Sequence, residues 1–138
     1  MSRFDAYIGL PWLDRGRTAA GVDCWGLVRL VYAGELGIQL PDRAGDYADA
    51  GDRLTIPSLV DEARGRDWLR ISDGRYDRLF DVVLIRQAPW HVGLVVGQGR
   101  MLHIPEGKTS CIEPYVGGRW GSRIEGVYRH WAKIGQPL

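Results

Sequence analysis

Cysteine is scarce in this chain: Cys24 and Cys111 are the only two in 138 residues. Two thiols build no disulfide framework and suit a protein made in the cytoplasm, with one bridge at most. Lysine is equally scarce, since Lys108 and Lys133 are the only two among 18 basic residues. The net charge is +1 and no basic run occurs, which takes away the electrostatic footprint of a nucleic-acid or anionic-membrane binder. No window approaches the ~18 consecutive apolar residues that a membrane-spanning helix requires. Residues 1–12 lack the basic-then-apolar pattern of a secretory signal, so synthesis in the cytoplasm without a leader is expected. Repeats, linkers and low-complexity segments are also missing. What remains, 45% hydrophobic and 25% charged, is an ordinary globular composition, read as one domain over 1–138.

The most informative stretch present is Gly21-Val22-Asp23-Cys24-Trp25-Gly26-Leu27-Val28-Arg29-Leu30-Val31-Tyr32, a glycine turn opening into an amphipathic helix. Leu27, Leu30 and Val31 recur at i, i+3 and i+4, with Gly34 at i+7, and mark one buried face. Asp23 stands at the N-cap position, and Gly37 followed by Pro41 supplies a stop. Cys24 therefore falls in the first turn, over unpaired N–H groups at the positive end of the helix dipole. A thiol there is expected to drop from ~8.5 towards roughly 3.5–7.5, which makes Cys24 a candidate nucleophile. Around this helix, residues 3–12 read as a short helix ending in a loop, and 14–20 as a connecting loop. Residues 39–52 read as an exposed excursion. Residues 54–64 regain helical spacing through Ile56, Leu59, Val60 and Ala63, residues 68–71 are ambiguous, and Ser72-Asp73-Gly74 is a turn.

The second half changes period. Val82-Val83-Leu84-Ile85 reads as a strand buried on both faces. His91-Val92-Gly93-Leu94-Val95-Val96 and Arg100-Met101-Leu102-His103-Ile104, joined by Gly97-Gln98-Gly99, read as a hairpin. Residues 110–113 and 124–131 are further strands, with a Gly117-Gly118 turn between them. Early helices and a late antiparallel sheet make an α+β architecture. The hairpin turn decides whether His91 and His103 share a face. A three-residue loop, or a two-residue Gln98-Gly99 turn compensated by a bulge, puts them together; a plain two-residue turn puts them on opposite sides. On a shared face, Gly93 would lie between them and let a helix approach.

Brought together, Cys24 would attack a carbonyl carbon, His91 would carry the proton, and His103 would fix the ring of His91. N–H groups at the helix start would hold the developing oxyanion. Zinc is the competing reading for Cys24, His91, His103 and Cys111, but structural zinc sites use closely spaced pairs and these four are isolated. No metal or cofactor is expected. Cys111 reads as a half-buried strand residue of the core, and Trp12 and Trp25 either cover the helix start or touch a substrate.

Asp23-Cys24-x-Gly26-Leu27-Val28 followed by His91-Val92-Gly93-Leu94-Val95-Val96-Gly97-x-Gly99-x-Met101-Leu102-His103 resembles the NlpC family of papain-like cysteine peptidases. The phage-tail branch is the nearest in pattern, through Trp25 after the cysteine and the run Leu27-Val28-Arg29. The resemblance spans residues 7 to about 113. It implies a papain-like fold with N-terminal helices packed on an antiparallel sheet, and a triad of Cys24, His91 and His103. It also implies cleavage of the γ-D-glutamyl-diaminopimelate bond of peptidoglycan stem peptides, with Asp23 binding the substrate's free amine. Trp12 and Trp25 stand where many members carry Tyr and Ser, and are candidate substrate contacts. Without a leader, delivery in a phage or phage-like tail and action at the cell wall are expected. Tail or tail-tip proteins would then be partners, with neither nucleic acid nor membrane. The alternative is a tail-assembly protein that keeps the fold with little hydrolysis; an amidase or acyltransferase is a third reading.

Overall fold

The computed structural model describes residues 3–40, 68–71, 77–86 and 91–130. The helix expected over 54–64, most of the 39–52 excursion, the turn at Ser72-Asp73-Gly74 and Trp131 lie outside the described residues.

The helix predicted from Cys24 is α1, Cys24–Val31, capped as expected: the Asp23 carboxylate accepts a hydrogen bond from Gly26 N at 2.8 Å. It passes into a π-helical segment, Tyr32–Leu36, closed by Gly37 at φ 66° in the left-handed region. The wider turn rotates the apolar stripe, so Gly34 is exposed next to the Tyr7 hydroxyl instead of continuing the buried face. The N-terminal helix shrinks to one 3₁₀ turn, Asp5–Tyr7.

The loop expected over 14–20 contains a small antiparallel ladder, β1 (Arg17–Thr18) with β2 (Gly21–Val22). This ladder folds the Gly16 carbonyl onto the start of α1. A Cβ at Gly26 would lie 2.1 Å from that oxygen, closer than any real contact. Gly26→Ala is therefore expected to destabilise the protein by about 1–3 kcal/mol, because backbone and not a flexible side chain must move. Chemical denaturation measures it, and an unchanged midpoint would contradict this packing.

The remaining strands are β3 (Trp68–Ile71), β4 (Val82–Ile85), β5 (His91–Gly97), β6 (Arg100–His103), β7 (Cys111–Pro114) and β8 (Ile124–His130). They form one sheet in the order β3-β8-β4-β5-β6-β7, antiparallel throughout. Each face of the sheet is covered, which explains why β4 is an unbroken apolar run. Val82, Leu84, Val92, Leu94 and Leu102 pack with Leu27, Val28 and Val31 of α1. On the opposite face Val83, Ile85, Val95 and Met101 pack with Tyr115 and Trp120. Trp120 belongs to a single helical turn, α2 (Gly118–Gly121). A bidentate Arg129–Asp81 pair, at 2.9 and 2.8 Å, ties β8 to the entry of β4. The α+β class read from the sequence is the observed one.

Candidate active site

The hairpin resolves its own ambiguity through a bulge. The turn is the two-residue Gln98-Gly99, with Gly97 paired to Arg100 and Gly99 at φ 67°. One extra residue between Val95 and Gly97 then restores the register in which Leu94 faces Leu102. His91, Gly93 and Val95 consequently share a face with Met101 and His103. The two imidazoles meet, His91 Nε2 lying 2.7 Å from His103 Nδ1. Gly93 does not admit a helix, since α1 packs on the other face of the sheet. It makes room for Met101, whose sulfur would lie 2.7 Å from a Cβ there.

Trp120 closes over the pair. Its ring is stacked on His91 at 5.8 Å and meets His103 edge-on at 5.2 Å. Burial, and then the neighbouring His103, push His91 down to about 3, so the ring is neutral at physiological pH. Burial also lowers His103, against the opposing pull of Glu113. Glu113 was not among the residues singled out from the sequence, yet its Oε2 lies 2.5 Å from His103 Nε2. Burial alone would raise this carboxyl, but the hydrogen bond from His103 and the positive charge of Arg119 hold it below its ordinary value. Glu113 faces Met101 across the β6–β7 ladder and so shares the histidine face. The signal in sequence is the alternation Cys111-x-Glu113, which is readable only once the β6–β7 register is known.

Cys24 opens α1 and is 5% exposed. Its sulfur is approached by the backbone N–H groups of Val92 and Trp25, and Val92 directly follows His91. The expectation of a lowered thiol is overturned. Burial, then the negative charge of Asp23, push it up to about 12, and the two N–H groups and Arg17 only partly offset them. Desolvation of a thiolate here outweighs the helix dipole. Among the described residues, no hydrogen bond joins the Cys24 thiol to an imidazole. At neutral pH both the Cys24 thiol and the His91 ring are therefore uncharged.

Asp23 is buried and spends its carboxylate internally. It accepts from Gly26 N, Arg15 N at 3.0 Å and Arg17 Nη1 at 2.8 Å. Trp25 lies in the core, whereas Trp12 is half-buried, packs against the same cluster and bridges to Val22. Cys111 is a half-buried strand residue as expected, but it belongs to neither apolar cluster of the core, and its Sγ lies 3.8 Å from Glu113 Oε2. The ligand atoms of His103, Cys111 and Glu113 lie within 4.8 Å of one another, and they are the set able to hold a metal among the described residues. A cavity of about 310 Å³ lined by Arg70, Tyr115, Gly117 and Glu125 contains none of Cys24, His91 and His103.

Residues 9–129 match the NlpC/P60 family. The chain belongs to that family, whose domains are papain-like cysteine peptidases. It is 33% identical over 100 residues to the gamma-D-glutamyl-L-lysine dipeptidyl-peptidase of Bacillus subtilis (strain 168), a match covering 72% of this chain and 29% of that protein. It is 25% identical over 126 residues to the gamma-DL-glutamyl hydrolase of the same organism, covering 91% and 27%. The chain thus spans under a third of the length of either curated relative. The crystal structure of the NlpC/p60 domain of the peptidoglycan hydrolase SagA superposes with a TM-score of 0.60 at 18% identity, covering 89% of each chain. This NlpC/P60 chain therefore carries the fold of its family.

Proposed function

We propose that this NlpC/P60 protein is a cysteine endopeptidase that hydrolyses γ-D-glutamyl bonds in peptidoglycan stem peptides. One observation carries the reading: the sulfur at the tip of α1 meets the backbone N–H next to His91, whose ring continues through His103 to Glu113. Both curated relatives are named for γ-glutamyl bonds, which supports the substrate class.

The chain of rings sets the proton positions. Glu113 as a carboxylate only accepts, so the neutral His103 carries its proton on Nε2. His103 Nδ1 then accepts from His91 Nε2–H, which leaves a lone pair on His91 Nδ1. That nitrogen is the base. As the thiol attacks the scissile carbonyl carbon, its proton passes to Nδ1, and N–H groups at the start of α1 receive the oxyanion. The amine departs with the proton from Nδ1. Water, deprotonated by the same nitrogen, then hydrolyses the thioester and restores the thiol. Asp23, buried beside Cys24 at the cap of α1, is placed to receive a substrate amine, as the family resemblance implies, and half-buried Trp12 supplies an apolar wall. The Cys24-Trp25 and Leu27-Val28-Arg29 pattern supports a tail-borne peptidase that reaches the wall from a particle.

A second reading, a building block with little hydrolysis, is favoured by the neutral thiol and its lack of a hydrogen bond to His91. Digestion of purified sacculi separates the two. New free amines, with fragment masses that place the cut after γ-D-glutamate, are the expected result. Intact sacculi would leave the scaffold reading.

A further inference from the structure

The sequence holds no closely spaced pair of cysteine or histidine zinc ligands, but the β6–β7 ladder creates a compact ligand set. His103 and Cys111 are direct cross-strand partners, and Glu113 lies two residues beyond Cys111 on the same face. Their ligand atoms are a ring nitrogen, a thiol sulfur and a carboxylate oxygen. They span 2.5 Å from Nε2 to Oε2, 3.8 Å from Sγ to Oε2, and at most 4.8 Å overall. Tetrahedral zinc with bonds of about 2.0–2.3 Å holds its ligands about 3.4–3.6 Å apart. The Nε2–Oε2 separation reaches that value when the Glu113 carboxylate, on a side chain 28% exposed, withdraws by about 1 Å, and the Sγ–Oε2 separation of 3.8 Å is already close to it. Cys111 is half-buried, so solvent reaches the site and a water completes the fourth position.

We propose that His103, Cys111 and Glu113 form a zinc site behind the histidine pair, and that zinc bound there switches the peptidase off. The binding claim stands on the ligand set alone; the inhibition rests on the catalytic reading above. Zinc takes the lone pair of His103 Nε2, so the proton of the neutral ring must sit on Nδ1. His103 Nδ1–H then donates to His91 Nε2, and the proton of His91 is displaced to its Nδ1. Two protons stay on the two rings, each now on the other nitrogen, while the thiol proton of Cys111 is released to solvent. His91 Nδ1 becomes a donor and no longer accepts the proton of Cys24. The positive charge of Arg119, which acts on all three ligands, weakens the site and keeps occupancy reversible.

The test titrates zinc into the intact protein against a chromogenic chelator and follows sacculus digestion in parallel. One zinc per chain is expected, with binding unchanged in Cys24→Ala and weakened at least about a hundredfold in Cys111→Ala. Zinc should abolish digestion by the wild type, chelator should restore it, and Cys111→Ala should digest at the zinc-free rate in either condition. Equal zinc binding by Cys111→Ala, or loss of binding in Cys24→Ala, would overturn the site. Full digestion by zinc-loaded wild type would overturn the switch. Because chelator competition needs no turnover, an inactive protein refutes the catalytic reading without touching the metal result.

Discussion

Cys24→Ala abolishes digestion of sacculi, a loss on the order of 10⁴-fold or more, and leaves the fold intact. The size of the effect follows from chemistry: no other side chain at the tip of α1 supplies a nucleophile, and without one there is no thioester route. The fold survives because the substitution removes one sulfur from a site whose cap, Asp23 to Gly26, is made by other residues. Circular dichroism and the denaturation midpoint check this, and a variant that still digests would refute the nucleophile. The same residue carries a pH prediction. Alkylation requires the thiolate, and a thiol pushed up to about 12 is almost wholly protonated at neutral pH. The rate of iodoacetamide modification at Cys24, mapped by peptide mass, should therefore climb about tenfold per pH unit from 7 to 10. A rate already level below pH 6 would show a preformed thiolate and contradict the neutral resting pair.

Glu113→Gln lowers kcat by about a hundredfold, equivalent to about 2.7 kcal/mol of barrier, with KM nearly unchanged. Glu113 is a positioning residue two rings removed from the reacting atoms. The amide preserves shape, but it accepts through oxygen or donates through nitrogen, whereas the carboxylate only accepts. With the donor turned towards His103 Nε2, the protons of both rings reverse and His91 Nδ1 is blocked. Substrate contacts are untouched, which is why KM stays. Ring ¹⁵N shifts should show His103 protonated on Nε2 in the wild type and mixed tautomers in the variant. Wild-type kcat in both Glu113→Gln and Glu113→Ala would remove Glu113 from the mechanism.

The distance between what the residues announce and what the fold settles is instructive at these positions. Cys24 at the head of a capped helix, β4 buried on both faces, and the β5–β6 hairpin all follow from local rules: periodicity, capping chemistry and glycine turns. Such rules act over a few residues, so the chain alone carries them. They singled out Cys24, His91 and His103, left open whether the two imidazoles share a face, and placed the protein in the α+β class.

Three matters needed the packed molecule. The facing of the imidazoles hung on a bulge between Val95 and Gly97, a one-residue adjustment that sheet twist and burial select. The protonation of Cys24 reversed, because the dipole of α1 is a local property while desolvation depends on everything that closes over the sulfur. Glu113 and Cys111 joined His103 through the β6–β7 register, which the Pro105–Lys108 turn in the connecting loop does not by itself fix. Local propensity decides which elements exist, and the register and burial that only the assembled sheet can impose decide which side chains meet and in what protonation state.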